Sequence, residues 1–277
     1  MNLFQAFLLG VLQGLTEFIP VSSTAHLLIA QKILNIPADD AMFSFLVIVQ
    51  LGTIVSLFAF YWKDLLNIIS ATLQAIPMLT KPRQTWNLKP ESLLGFYIIL
   101  ATIPALIAGY LLKDAVEALF RQPMLEASIR LFAAAVLLSL AEWISKKNRN
   151  LNSMTWLDAL IIGLMQVIAV FPGASRSGTT IAGGMFRGFD RPSAARFAFL
   201  MSAPVMLAAG GYEMLDVIQM PNLAQFLPLL AVGFVTAAVT GWFAIKWLIN
   251  YLSKNSLYIF AAYCAVVGFI LLIVQAF

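Results

Sequence analysis

The chain has 277 residues, of which 61% are hydrophobic and 11% charged, and its formal net charge is +4. Soluble domains are about half apolar and about one quarter charged, so this composition excludes a soluble domain, a disordered chain and a nucleic-acid-binding protein. The chain contains one cysteine, Cys264, and one histidine, His26. These counts exclude a disulfide framework, a cysteine metal site and any mechanism that needs two imidazoles. The composition therefore predicts an integral membrane protein.

Six apolar segments have the character of membrane-spanning helices, because a bilayer core about 30 Å thick needs about 20 apolar residues. Two of the six are short and reach this length if their flanking charges snorkel to the interface. Another is overlong, and Pro221 with Asn222 predicts a loop at its beginning. In chain order, the predicted spans cover residues 41–62, 92–112, 131–141, 197–212, 217–245 and 255–277.

Two further apolar regions, at about residues 1–35 and 156–188, are interrupted by polar and helix-breaking residues. Each half of these regions is too short to cross a bilayer. Irregular backbone at membrane depth is tolerated only where it is buried in protein or lines a cavity. We therefore predict two re-entrant helical hairpins. A signal peptide is a weaker interpretation of the first region, because no basic residue precedes its apolar run.

An internal repeat supports this organisation. The sequence GVLQ at 10–13 leads to Pro20 and Ser23, and GLMQ at 163–166 leads to Pro172 and Ser175. The repeat predicts one all-α membrane domain with two halves, residues 1–150 and 151–277, each containing a hairpin and three spans. An odd number of crossings inserts the second half upside down, as in the inverted-topology repeats of many transporters.

The distribution of basic residues predicts the orientation, since cytoplasmic loops are enriched in Lys and Arg. The poorer side, with Lys32, Lys113, Arg121 and Arg130, is then external, and both termini face outside. The richer, cytoplasmic side carries Lys63, Lys81, Arg83, Lys89, Lys146, Lys147, Arg149, Arg187, Arg191, Arg196, Lys246 and Lys254.

The two breaks carry the ionisable residues Glu17, His26 and Arg176, and intramembrane ionisable groups are functional candidates because they are costly. In each break a proline-bearing turn leads into a helix that a serine can cap. Converging helix N-termini favour an anion, and the Arg176 guanidinium matches phosphate oxygens. Further donors are the hydroxyls of Ser22, Ser23, Thr24, Ser175 and Ser177.

The spacing in the first break predicts a nucleophile with an adjacent base. On a helix, His26 can face the hydroxyl of Ser23 or of Ser22, three and four residues earlier. Gln13 and Glu17 share a helix face, where they would offer weak ligands to Mg²⁺ or Ca²⁺. Structural roles stay open: the hydroxyls can bond to backbone, His26 can be structural, and Glu17 can be the ion-pair partner of Arg176.

Two motifs carry a resemblance to a known family. Residues 14–26, GLTEFIPVSSTAH, and residues 172–180, PGASRSGTT, resemble the signatures of bacterial undecaprenyl-diphosphatases, the bacitracin-resistance family of lipid pyrophosphate phosphatases. The resemblance covers essentially the whole chain. It implies hydrolysis of undecaprenyl diphosphate on the outer face of the cytoplasmic membrane with a divalent cation, Mg²⁺ or Ca²⁺. That reaction recycles the lipid carrier of peptidoglycan synthesis.

The resemblance also implies roles for individual residues. The family's Glu-x-x-x-Glu motif falls on Gln13 and Glu17, so this chain lacks the first carboxylate. The family's essential Ser, His and Arg correspond to Ser23, His26 and Arg176. The family's phosphate-contacting hydroxyls correspond to Ser22, Thr24, Ser175, Ser177 and Thr180.

The leading hypothesis is therefore a lipid diphosphatase in which Ser23 attacks phosphorus or orients water, with His26 as general base. The alternative is a carrier that moves lipid phosphate or another anion across the membrane, since inverted repeats and broken helices are typical of transporters. The expected partners are a polyprenyl diphosphate and membrane lipids, without nucleic acid. Small residues in the last spans also permit a homodimer.

Overall fold

The computed structural model describes residues 1–37, 39–81, 88–112, 123–169, 175–219 and 223–276. Several residues used in the predictions above lie outside these ranges. They are Arg83, Lys113, Arg121, Pro172, Gly173, Ala174, Pro221 and Asn222.

The described residues are almost entirely α-helical. A kink at Tyr61 (φ −102°, ψ 19°) interrupts the longest helix. Short 3-10 turns follow that helix and precede the sixth. The helices are α1 (Leu3–Phe18), α2 (Ser23–Ile33), α3 (Asp40–Ala75), α4 (Pro90–Leu111), α5 (Pro123–Ile144), α6 (Trp156–Ile168), α7 (Arg176–Phe186), α8 (Arg191–Ile218), α9 (Leu223–Leu252) and α10 (Tyr258–Ala276).

Five helices of the described chain, α3, α4, α5, α8 and α9, are long and apolar enough to cross a membrane. The sequence predicts these five and a sixth at 255–277. That sixth segment forms α10, which belongs with α1 and α6 among the shorter apolar helices. The described residues therefore confirm an all-helical, multi-pass membrane protein, with five candidate spans by length and composition.

Helix α3 extends beyond its predicted end at residue 62 and continues to Ala75. Its extension buries Ile68, Thr72 and Ala75 on one face. This face meets α4 closely: a Cβ at Gly95 would lie 1.9 Å from Oγ1 of Thr72. The apolar run ends at Lys63 and Asp64. The helix continues beyond them because its buried face packs against α4.

The charges that flank the third predicted span, which forms α5, are buried within the protein. Arg130 is 6% exposed and Glu142 is 4% exposed. The Glu142 carboxylate accepts hydrogen bonds from Arg191 and from the backbone N–H of Leu257, and it is paired with Lys147 at 2.9 Å. Since a buried carboxylate is stable only when paired, these partners permit burial and join the ends of α5, α8 and α10.

Both hairpins pack against the fourth helix of the opposite half of the chain. Helix α1 lies along α9, and α6 lies along α4. The repeated glycine makes this approach possible in each case. A Cβ at Gly10 would lie 1.9 Å from Oγ1 of Thr236, and one at Gly163 would lie 2.5 Å from the carbonyl oxygen of Ala101. Small residues at such crossings are typical of membrane helices, whose association depends on close packing.

The outward faces of the spans are apolar. On α4, Ile99, Ile103 and Tyr110 are exposed, whereas Ala101 and Ala105 on the opposite face are buried. A water-soluble monomer rarely exposes apolar surface on this scale. This arrangement matches a lipid environment, and the ionisable residues of the breaks, Glu17, His26 and Arg176, are buried or partly buried.

Candidate active site

The first break lies between α1 and α2. Helix α1 ends at Phe18, and Ile19, which precedes Pro20, is extended with ψ 132°. A residue before proline disfavours helical backbone, which explains the end of α1. Ser22 then has φ 67°, in the left-handed region, and its side chain does not cap α2. The break therefore places Ser23 at the first position of α2. The serine cap that the sequence predicts for this helix is not formed.

The second break leads into α7. Ser175 caps this helix as predicted, because its hydroxyl accepts the backbone N–H of Gly178 at 3.1 Å. The hydroxyls of Thr179 and Thr180 donate to the carbonyl oxygens of Ser175 and Arg176, at 2.9 and 2.7 Å. The first turn of α7 thus has a defined start with Arg176 at its N-terminus.

The two breaks meet inside the protein. The Arg176 guanidinium forms an ion pair with the carboxylate of Glu17, and the Ser177 hydroxyl donates to the carbonyl oxygen of Ile19 at 3.4 Å. Phe18 packs edge-on against Phe199 of α8, with ring centroids 5.3 Å apart. A small cavity lies at this junction, lined by Glu17, Phe18, Arg176, Ser177, Thr180, Ala198, Phe199 and Ser202.

Glu17 is the centre of this polar cluster. While Oε1 is bound to Arg176, Oε2 accepts hydrogen bonds from the Ser23 hydroxyl at 2.8 Å and from the Gln13 amide at 2.9 Å. The side chain of Glu17 is only 7% exposed and that of Arg176 only 20%. One carboxylate therefore connects the predicted nucleophile to the predicted anion-binding cation, as the ion-pair alternative for Glu17 anticipated.

His26 is not bonded to the hydroxyl of Ser23. Its Nδ1 lies 2.8 Å from the backbone oxygen of Ser22, and its Nε2 lies 2.7 Å from the hydroxyl of Tyr263 on α10. Helical side chains lean toward the preceding turn, which brings the imidazole to the carbonyl four residues earlier. The group within hydrogen-bond reach of the Ser23 proton is Glu17.

The other predicted phosphate ligands divide into two groups. Ser177 and Thr180 line the cavity with Arg176, and Ser175 is bonded to Ser177 through their hydroxyls at 3.3 Å. Ser22 is buried in the strained turn. Thr24 is exposed on α2 and does not line the cavity.

Sequence reasoning missed several residues that contact the site, among them Phe199, Ser202 and Tyr263. Ser202 and Phe199 of α8 line the cavity, and Tyr263 holds His26. A buried serine two residues before Pro204, inside an apolar span, is a weak signal for Ser202. The sequence of the last helix contains no comparable signal for Tyr263.

The junction offers few metal ligands, so a metal bound there would also need ligands from the substrate. Among the described residues, no group of three His, Cys, Asp or Glu side chains is placed to hold a metal ion. Glu17 supplies one carboxylate and Gln13 an adjacent amide. Mg²⁺ commonly binds through one or two carboxylates together with substrate phosphates, and these residues fit that minimal arrangement.

A second charged cluster joins the start of α6 to the end of α7, at the opposite end of this helix pair from Arg176. Asp158, near the start of α6, is fully buried and accepts hydrogen bonds from Arg149 and from Arg187 after α7, at 2.6 and 2.7 Å. Burial raises the pKa of the Asp158 carboxyl, but hydrogen bonds from Arg149, Thr155 and Arg187 outweigh it and hold that pKa well below its usual range. The cluster fixes the hairpin that carries Arg176 at its inner end.

The fold and site together define a class: an all-helical, multi-pass membrane protein with a buried Glu–Ser–Arg cluster where two helical breaks meet. The family model of the bacitracin resistance protein BacA matches residues 6–270. The chain belongs to this family.

Three relatives are similar to this chain over nearly its full length. An undecaprenyl-diphosphatase of Chlorobium phaeovibrioides is 39% identical, over 99% of this chain and 97% of its own. Another from Alkaliphilus metalliredigens is 38% identical, over 99% and 98%. A third, from Methanosphaera stadtmanae, is 37% identical, over 99% of both chains.

Proposed function

We propose that this protein hydrolyses undecaprenyl diphosphate to undecaprenyl phosphate and inorganic phosphate. The observation that carries the proposal is the hydrogen bond from Ser23 to Glu17, whose carboxylate also binds Arg176. Full-length similarity to proteins named undecaprenyl-diphosphatase supports the substrate. The reaction would regenerate the lipid carrier of peptidoglycan synthesis and confer bacitracin resistance.

Arg176 binds the diphosphate. Arg176 lines the cavity at the N-terminus of α7, and both a guanidinium and a helix N-terminus favour phosphate oxygens. Phosphoryl transfer depends mainly on positioning and on neutralising charge in the transition state. The hydroxyls of Ser177 and Thr180 lie beside Arg176 and contribute further donors to the same group.

Ser23 and Glu17 carry out the proton transfer. Glu17 accepts a hydrogen bond from the Ser23 hydroxyl at 2.8 Å, so its carboxylate is within reach to act as the general base. In one route the Ser23 oxygen attacks the terminal phosphorus, the bond to the bridging oxygen breaks, and undecaprenyl phosphate leaves. Water then hydrolyses the phosphoserine and releases phosphate. In the other route Ser23 orients a water molecule that attacks phosphorus directly.

A divalent cation, Mg²⁺ or Ca²⁺, would bind at Glu17 and Gln13 together with diphosphate oxygens. When bound, such an ion would neutralise charge on the transferring phosphoryl group. Proton transfer between Ser23 and Glu17, and the orientation of the diphosphate by Arg176, are supplied by the chain's own residues.

The packing pattern supports an inverted-topology repeat of residues 1–150 and 151–277. Because α1 packs on α9 and α6 packs on α4, each hairpin lies against the fourth helix of the other half. In this arrangement α1–α2 and α6–α7 are re-entrant, α10 is the sixth span, and the site and both termini face outside the bacterial inner membrane. The small residues of the last spans would permit a homodimer.

A lipid-phosphate carrier with the same fold is less well supported. A carrier needs an anion site, but it does not need a hydroxyl paired with a carboxylate base as Ser23 is with Glu17. The hydrolase uses both parts of the observed cluster.

The test measures phosphate release from undecaprenyl diphosphate by purified protein in detergent. Ser23→Ala and Arg176→Ala should each release almost no phosphate, and Arg176→Lys should retain a small fraction because it keeps charge without the bidentate fork. Ser253→Ala, an exposed serine at the end of α9, is the matched control. Near-native rates in both alanine variants would refute the proposal.

A further inference from the structure

Both ring nitrogens of His26 have partners, and these partners define the state of the ring. The backbone oxygen of Ser22 only accepts, so Nδ1, 2.8 Å away, carries the proton. In the neutral ring Nε2 is then the acceptor, and the Tyr263 hydroxyl donates to it at 2.7 Å. The two rings are nearly parallel, 9° apart in orientation with centroids separated by 5.6 Å.

The Ser22 carbonyl that His26 holds belongs to the strained turn before the nucleophile. Ser22 has φ 67°, which a residue other than glycine adopts only when the surrounding structure enforces it. Its carbonyl oxygen accepts both the His26 backbone N–H, at 3.3 Å, and Nδ1 of the same residue, at 2.8 Å. The orientation of this peptide unit determines where Ser23, the next residue, places its hydroxyl.

Helix α10 contacts this turn at two consecutive residues. Tyr263 binds the His26 ring, and Sγ of Cys264 lies 3.9 Å from the carbonyl oxygen of Pro20, on the other side of Ser22. The first break is thus fastened to a helix at the far end of the chain. The catalytic cluster of Glu17, Ser23 and Arg176 has no direct bond to Tyr263.

We propose that Tyr263 is a positioning residue for the hydrolytic site, an inference that rests on the proposed function. Its hydroxyl keeps His26 in the form with the proton on Nδ1, and His26 in turn holds the Ser22 carbonyl that orients Ser23 toward Glu17. Tyr263 is 45% exposed and acts only through His26. Its loss should therefore lower turnover without weakening substrate binding.

The experiment uses the single histidine of the chain. The protein is labelled with ¹⁵N-histidine and purified through a tag that contains no histidine. Its NMR spectrum then shows two imidazole nitrogen signals, Nδ1 and Nε2 of His26. Spectra, melting temperature, kcat and KM are compared for the wild type, Tyr263→Phe and Tyr258→Phe. Phenylalanine keeps the stacked ring and removes only the hydroxyl. Tyr258, on the same helix and 48% exposed, is the matched control.

The wild type should show Nδ1 protonated and Nε2 accepting. Tyr263→Phe should alter the Nε2 signal and lower kcat by about 3- to 10-fold, the range expected for one hydrogen bond, with KM unchanged. Tyr258→Phe should change neither. A wild-type ring protonated at Nε2 alone, or unchanged spectra or kcat in Tyr263→Phe, would overturn the inference. A wild type that releases no phosphate would instead overturn the proposed function.

Discussion

The hydroxyl of Ser23 donates a 2.8 Å hydrogen bond to Oε2 of Glu17, across the break between α1 and α2. The other carboxylate oxygen binds Arg176 from the second hairpin. Glu17 therefore connects the proposed nucleophile of one hairpin to the cation of the other. A substitution that changes only the basicity of Glu17 separates its proposed role as a proton acceptor from its contacts to both breaks.

Glu17→Gln should lower phosphate release by about 100-fold or more, because general-base catalysis contributes about 10²–10⁴. The amide keeps the shape of the side chain and can accept from Ser23 or Arg176, but it cannot take a proton. Initial rates on undecaprenyl diphosphate measure the effect. Glu91→Gln, at the exposed start of α4, is the control. A rate close to that of the wild type would show that Glu17 is not the base.

Gln13→Glu should strengthen the dependence on divalent cations. It adds a second carboxylate one helical turn from Glu17, where Gln13 now donates to Oε2 at 2.9 Å. Two adjacent carboxylates repel unless a cation separates them. Phosphate release titrated with Mg²⁺ or Ca²⁺ after chelation should therefore reach half its maximum at a lower concentration than in the wild type.

The control for this variant is Gln74→Glu, which adds the same charge at an exposed position of α3. It should leave the cation titration unchanged. An unchanged titration in Gln13→Glu would mean that the cation, if the reaction uses one, is bound without this side chain.

Gln166→Met should raise the melting temperature. Gln166 is 1% exposed, and neither polar atom of its side chain has a hydrogen-bond partner among the described residues. A buried unpaired group costs about 1–3 kcal/mol, and an apolar group of similar shape avoids this cost. Gln13→Met, which instead removes a bonded amide from the equivalent position of the repeat, should not raise it.

Thermal unfolding in one detergent, at fixed protein concentration, compares these variants. A lower melting temperature for Gln166→Met than for the wild type would contradict the expected gain. It would indicate that this amide has a stabilising partner.

Asp158→Asn should destabilise the α6–α7 hairpin by about 2 kcal/mol at neutral pH, since it removes the charge of a buried carboxylate that accepts hydrogen bonds from two partly exposed guanidinium groups. The pKa of Asp158 is lowered in the folded protein. Its contribution is therefore fully present above the unfolded pKa of about 4, and it is lost as the pH falls further below that value.

Thermal unfolding of Asp158→Asn and wild type across this pH range should show curves that converge in acid. Asp64→Asn breaks a half-exposed ion pair with Arg196 and should cost less than about 1 kcal/mol. A constant difference between Asp158→Asn and wild type at every pH would contradict the assignment of this stability to the ionised carboxylate.

Local signals located the two breaks, although they wrongly predicted a serine cap for α2. Pro20 with its preceding residue ends α1, and Ser175 caps α7 as the motif predicts. The ionisable residues Glu17 and Arg176 were predicted as site residues because such groups are costly within a membrane. The structure places them in contact.

Pairings between distant parts of the chain could not be predicted in the same way. Helical spacing favoured His26 as the partner of Ser23, but the imidazole binds Tyr263, more than two hundred positions further along the chain. The sequence of α10 around Tyr263 is apolar, so no neighbouring residue indicates that Tyr263 belongs to the site. The extension of α3 to Ala75 likewise depends on its packing against Gly95 of α4.

The sequence by itself determined the membrane environment, the positions of the helical breaks and the residues that carry charge into them. Composition and backbone restriction act locally, so they can be read without coordinates. Tertiary structure alone decided that Glu17, rather than His26, accepts the hydrogen bond of Ser23, and that Tyr263 of α10 binds the imidazole. These choices depend on which side chains from separate helices come within about 3 Å of one another, the range of a hydrogen bond.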